Sequence, residues 1–151
     1  MLFSPAIFQH LNSAIGADMD IKNQDWVGEI SFNSDGLIPV IAQDNDSHRV
    51  LMVAWMNEVA VKQTVATGIA TYWSRSRSAL WRKGESSGNE QHVQSVQLDC
   101  DADVLILNVI QIGGIACHTG RNSCFFRTLT PEGWQTTEPV LKDPGEMYPN
   151  A

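Results

Sequence analysis

The chain has 151 residues, 43% of them apolar and 18% charged, with a formal net charge of −7. That length buries one core without disulfides or a structural metal, and no apolar run approaches the roughly 18 residues that a membrane helix needs. Seventeen acidic against ten basic residues exclude a general nucleic-acid binder, which needs a basic face, so any anion site has to be local.

The opening "PAIFQHLNSAIG" puts Ile7, Phe8, Leu11 and Ile15 at helical spacing, with Pro5 at the start and Gly16 at the end, and predicts a short amphipathic helix. It lacks a basic leader and is followed by Asp18 and Asp20, which argues against a secretory signal and for a cytoplasmic protein. From "WVGEISFNSDGLIPVIAQ" through "HRVLMVAWM" the composition is that of strands joined by the turns "NSDG" and "DNDS". Asn57 then caps a helix through "EVAVKQTVAT", with Val61, Thr64 and Val65 on one side and Gly68 at its end. "IATYWSRS" returns to strand composition, "WRKGESSGNEQ" is too polar for a core element, and "HVQSVQLDCDADVLILNVIQ" reads as two strands. The expected division is a single domain over 1–127, including the N-terminal helical extension. A loosely packed, Pro-rich extension follows over 128–151, which holds four of the six prolines.

Three residue clusters carry chemistry. All three cysteines, Cys100, Cys117 and Cys124, fall in one 25-residue span, and the last two sit in "ACHTGRNSC", a polar, Gly-containing stretch. Buried cysteines often act as small hydrophobes, but three in one span of a reducing-compartment protein point to metal or catalysis. The spacing is not that of a closed zinc ribbon. Three thiolates leave one zinc position for water, the arrangement of a catalytic site, and His118 could be the fourth ligand or a general base beside that water. Asp99, Asp101 and Asp103 are two apart, so on an extended strand their carboxylates share one face, either as a solvated acidic edge or as a seat for a hard cation such as Mg²⁺. An EF-hand loop starting at Asp99 fails, because Val104 and Ile110 stand where Gly and Glu are required.

The third cluster is basic. Arg75, Arg77, Arg82 and Lys83 place four of the ten basic residues within nine positions, among Ser74, Ser76, Ser86, Ser87 and two glycines. A solvated loop accounts for such a run, but guanidinium forks, hydroxyls and Gly-opened amides together suit a phosphate monoester, and Trp73 or Trp81 could stack on a base. Glu85 and His92 add titratable groups nearby.

Taken together, "VLMVAWMN", "YWSRSRSALWRKGESSGN", "VQLDCDADVLILNVIQ" and "ACHTGRNSCFFR", in that order over roughly residues 36 to 127, resemble the phosphoribosyl-AMP cyclohydrolase family of histidine biosynthesis. "GNEQHV" departs at Glu90 from the Thr-containing form of that loop. The resemblance implies an α+β fold, strand-rich, with a mostly antiparallel sheet and few short helices, forming an intertwined homodimer. It also implies zinc sites shared between chains, Cys100 from one and Cys117 and Cys124 from the other, with Asp99, Asp101 and Asp103 holding Mg²⁺. The implied substrate is a small nucleotide, 1-(5-phosphoribosyl)-AMP, whose adenine ring opens at N1–C6 by attack of zinc-activated water to give a formimino aminoimidazole carboxamide ribotide. His118 or His92 would move protons, while Arg75, Arg77, Trp81, Arg82, Lys83 and Ser86 would bind the nucleotide. The alternatives are another zinc-dependent nucleotide hydrolase or deaminase, or a non-catalytic zinc-stabilised dimer module. The H-x-E and P-C-x-x-C signature of zinc deaminases is absent.

Overall fold

The structure, a computed structural model, describes residues 25–149. The helix predicted around Ile7–Ile15 lies outside them. Among the described residues, eight strands and two short α-helices make an α+β fold. The central sheet has the order β2-β1-β6-β5, built from β1 (Ile38–Asp44), β2 (Val50–Met56), β5 (Gln91–Leu98) and β6 (Leu105–Gln111). Its outer pairs are antiparallel, and the central β1–β6 pair is parallel, with Val40 opposite Leu105. Alternation decides which face is buried: Ile38, Val40, Ala42, Leu105, Leu107 and Val109 all point into the core.

The first two turns form as their side chains dictate. Asn33 Oδ1 accepts from the amides of Asp35 and Leu37, and Gly36 supplies the positive φ of 74°. At the β1–β2 turn the Asp44 carboxylate accepts from the Ser47 amide and hydroxyl and from the Asp46 amide; these bonds outweigh desolvation and lower its pKa. The expected strand around Trp26 is instead a 3-10 turn, Trp26–Glu29, because the amides of Gly28 and Ile30 bond back to Asp25 and Val27 and not to another strand.

Helix α1 (Glu58–Thr67) has the predicted ends. Asn57 Oδ1 accepts from the Ala60 amide at 2.9 Å, and Gly68 closes the helix with φ 73°. Ala60, Val61 and Thr64 are its buried face, with Val65 half-buried. Thr64 locks it to β3 (Thr71–Ser74), accepting from the Thr71 amide at 3.0 Å and donating to its carbonyl at 3.2 Å.

Two expectations fail here. "WRKG" is not all loop: Ala79–Arg82 forms β4, paired with β3 from Thr71↔Arg82 to Ser74↔Ala79. A two-stranded ribbon needs no fully buried face, so its polar composition hid it. Nor is the Pro-rich tail loose. It folds into a hairpin of β7 (Arg127–Thr130) and β8 (Gly133–Thr136), then a single-turn helix α2 (Pro144–Met147) capped by Asp143. The amides of Leu141 and Lys142 bond the Gly120 carbonyl, Arg121 Nε donates to the Glu138 carbonyl at 3.0 Å, Arg49 pairs with the Glu138 carboxylate, and Met147 is buried.

Candidate active site and metal centre

Cys117 and Cys124 are brought together by a loop that the chain ties down at both ends. The Ala116 and Cys117 amides bond the carbonyls of Asn122 and Arg121, and the Gly120 amide bonds the Cys117 carbonyl. Gly120 sits at φ 82°, and a Cβ there would overlap the Lys142 carbonyl oxygen. At the far end the Cys124 amide reaches the Leu51 carbonyl at 2.8 Å, while the Ser123 hydroxyl donates to the Val50 carbonyl of β2. Cys117 is buried, with Thr119 Oγ1 3.0 Å from its sulfur, and the residue Cys124 is exposed. Burial nevertheless pushes the Cys124 thiol up to about 12; the charge of Cys117 and a hydrogen bond to it act the same way, and Lys83 opposes them.

Lys83 is the unexpected neighbour. Its side chain is buried, and its Nζ donates to the Ala116 carbonyl at 2.5 Å. Desolvation lowers its pKa, and the two thiols work against that shift. Behind the loop Tyr72 is fully buried; burial first and the Cys124 charge second raise its pKa, so its hydroxyl stays a donor to Gln91 Oε1 at 2.6 Å. Gln91 Nε2 in turn donates to Gln111 Oε1 at 2.9 Å, and Gln111 Nε2 to the Asn89 carbonyl, which ties β5, β6 and the polar loop into one satisfied network.

The two adjacent thiols fit a soft divalent cation. Cys117 is buried and the Cys124 thiol is raised by burial and by its neighbour, and a soft cation would replace the protons there, because the metal neutralises thiolate sulfur where water cannot. Cys100 stands elsewhere in the single chain. It is exposed on the β5–β6 connection, and among the described residues no group of three close metal ligands includes a cysteine.

Asp99, Asp101 and Asp103 do form such a group, with ligand atoms all within 4.8 Å of one another. They lie on a tight turn and not on the extended strand that the spacing suggests. Ala102 takes φ 65°, and Asp99 Oδ1 accepts from the amides of Asp103 and Val104. At Asp99 desolvation is outweighed by those amide bonds, so its pKa is lowered. Asp103 is raised, first by its hydrogen bond with Asp101, then by desolvation and the charges of its neighbours.

Five of the six nominated nucleotide-binding residues share one cleft of about 240 Å³, lined by Arg77, Trp81, Arg82, Lys83 and Ser86 with Gly84, Glu85, Ser87 and Tyr148. Arg75 is not among them: its guanidinium stacks on Trp55, 4.7 Å from the ring centroid. Lys83 lines the cleft wall, but its ammonium faces the cysteine loop. One face of Trp81 is engaged by Tyr72, 5.1 Å between centroids. His118 is exposed on the turn between the two cysteines. His92 lies on β5, its Nε2 3.8 Å from Glu90, in a separate cleft with Ile69, Gln94 and Ile110.

Sequence reasoning missed Tyr148 in the basic cleft and Lys83 beside the thiols. The Asp143-Pro144 pair is a legible helix-start signature, but nothing local says where that turn docks.

The sequence model of the family described as phosphoribosyl-AMP cyclohydrolase matches residues 52–126. That span holds α1, the basic cleft's loop, the acidic turn and the whole cysteine loop. Among curated relatives, the phosphoribosyl-AMP cyclohydrolase of Pseudomonas syringae pv. syringae is 61% identical over 126 residues, covering 83% of this chain and 97% of the relative. That of Nitrosomonas eutropha is 61% identical over 124 residues, 82% and 96% of the two chains. The Pseudomonas aeruginosa protein of that name is 57% identical over 128 residues, 85% and 96%. The chain belongs to the phosphoribosyl-AMP cyclohydrolase family. Among the described residues no helix is long and apolar enough to cross a membrane.

Proposed function

We propose that this chain hydrolyses the N1–C6 bond of 1-(5-phosphoribosyl)-AMP, the third step of histidine biosynthesis, at a zinc centre that takes Cys117 and Cys124 from one chain and Cys100 from a second. Family membership supports the reaction. The observation that carries the site is the contact through Lys83, which lines the basic cleft on one side and bonds the cysteine loop on the other. The reading includes a homodimer in the cytoplasm and Mg²⁺ at Asp99, Asp101 and Asp103.

In this mechanism Arg77, Arg82 and Ser86 hold a 5′-phosphate by charge-assisted hydrogen bonds. Trp81, which meets Tyr72 and the Lys83 ammonium on its ring, packs against the nucleotide where it lines the cleft. Phosphoribosylation at N1 makes C6 electrophilic and N1 a good leaving group. When bound, zinc in a three-thiolate shell supplies Lewis acidity that makes water nucleophilic near neutral pH. His118, beside Cys117, removes a proton from the attacking water and returns it to N1 as the N1–C6 bond breaks. The oxygen stays on C6 as a carboxamide, and no ammonia leaves.

Turnover assays with phosphoribosyl-AMP, AMP and adenosine test the reaction. Ring opening of the first alone, without ammonia, is expected; ammonia from AMP or adenosine would mean a deaminase instead. The shared site is tested by mixing Cys100→Ala with Cys117→Ala chains under subunit exchange. A mixed dimer keeps one complete site, so up to about half the activity per dimer returns. No recovery, with exchange confirmed by mass, would mean that each site is built within one chain.

A further inference from the structure

The basic cleft has a wall from a distant part of the sequence. Tyr148 is half-buried just after α2, and it lines the cleft with Arg77, Arg82 and Ser86. Its placement is built rather than incidental. Asp143 caps the turn with a 2.7 Å bond to the Gly145 amide, Pro144 opens it, the Tyr148 amide bonds the Pro144 carbonyl at 3.0 Å, and Met147 buries its side chain alongside. Upstream, the Leu141 amide is held 2.8 Å from the Gly120 carbonyl in the cysteine loop. One strap therefore touches both the thiol loop and the anion cleft.

We propose that Tyr148 is a substrate-binding residue: its hydroxyl donates to the phosphate ester held by Arg77 and Arg82, and its ring closes the cleft over the attached ribose. The chemistry follows from the cleft. Two guanidinium groups and serine hydroxyls suit a phosphate monoester, and a phenol adds a donor without adding charge and an apolar ring surface suited to a sugar. The specificity that results is for a 5-phosphorylated ribose over inorganic phosphate, since only the ester presents a sugar to the ring. The inference rests on the reading of this cleft as the nucleotide's phosphate site.

Tyr148→Ala and Tyr148→Phe, with Arg82→Ala for comparison, separate the two ideas. A charge-assisted hydrogen bond lost to Tyr148→Phe should raise KM for phosphoribosyl-AMP and Kd for ribose 5-phosphate about tenfold, with kcat within about twofold. Tyr148→Ala should weaken ribose 5-phosphate further while leaving inorganic phosphate less affected, and zinc content should be unchanged in both variants. A merely structural tyrosine would lose zinc or kcat and spare the split between the two ligands, which would overturn the proposal. If Arg82→Ala weakens binding and both Tyr148 variants do not, Tyr148 has no such role although the cleft reading holds. If none of the three changes KM or Kd, the cleft is not the phosphate site and both ideas fall. Tyr148→Phe preserves the ring's packing, so the test survives if Tyr148→Ala does not fold.

Discussion

At the β5–β6 turn, Asp99, Asp101 and Asp103 come together within five residues of chain, exposed and closed by their own amides. Cys117 and Cys124 are brought together from three directions: β2 through Leu51 and Val50, the basic loop through Lys83, and the tail through Leu141. Local spacing makes the first cluster, and long-range packing makes the second. The acidic turn is tied outward by a backbone bond from the Ser31 amide to the Ala102 carbonyl, whereas the cysteine loop cannot move without pulling on β2 and the tail. Like charges on a turn are held by its backbone amides and would be relieved by a counter-charge, while the thiols are held by contacts from distant parts of the chain.

The largest expected effect follows from removing a proposed zinc ligand. Cys117→Ala should lose zinc and lower turnover by more than about a hundredfold, beyond the 10- to 100-fold typical of residues that merely support ligands. Metal analysis by mass spectrometry beside the turnover assay checks both, and a metal-free variant with parental activity would refute the site. The corresponding change in the acidic turn, Asp101→Asn, should leave zinc content untouched.

Next is the tether itself. Gly120→Ala forces a side chain into a left-handed position and against the Lys142 carbonyl, so it should cost about 2 kcal/mol or more and detach the tail. Urea denaturation measures the cost, and added proteolysis between Glu138 and Tyr148 reports the detachment. An Ala variant as stable and as protease-resistant as the parent would mean that the tail does not hold the loop.

What was legible in the sequence follows the same divide. Asn57 and Gly68 bracket α1, Asn33 and Asp44 make their turns, and alternation in "VIAQD" and "LILNVIQ" sets the buried sheet face, because each signal acts within a few residues. The three clusters of chemistry were legible as residue types. Their mutual placement was not: Lys83 meets Ala116 across 33 positions, and Tyr148 meets the basic loop from the far end of the chain. The placement of Arg75 outside the cleft was hidden for a related reason, since its aromatic partner, Trp55, lies on the distant strand β2.

In the acidic turn the strain points the other way. Ala102 occupies φ 65°, which costs a non-glycine residue about 1–2 kcal/mol, while glycine loses about 0.4–1 kcal/mol through its freer unfolded chain. Ala102→Gly should thus stabilise the protein by roughly 0.5 kcal/mol, the opposite sign to Gly120→Ala. A destabilised variant in the same denaturation series would show that the turn is not strained.

The smallest effect is the one that tells whether the turn is repelling itself. With divalent cations chelated, Asp103 has a raised pKa, chiefly through its hydrogen bond with Asp101 and then through desolvation and the surrounding charge. A group raised in the folded state contributes stability that is fully present below its unfolded value, 3.8, and lost as pH rises through the raised value. Asp99 is lowered and has the opposite sign, its contribution being lost as pH falls. Asp103→Asn removes the first behaviour and keeps the backbone bonds from the amides of residues 103 and 104 that lower Asp99. The denaturation midpoint of Asp103→Asn relative to the parent should therefore climb as pH rises from 3.8 toward neutrality, and Mg²⁺ should raise the parent more than the variant. A difference that is flat with pH and indifferent to Mg²⁺ would leave the three carboxylates as an ordinary solvated edge. A difference that climbs and then closes on adding Mg²⁺ would mean that the turn stores its repulsion until a cation relieves it.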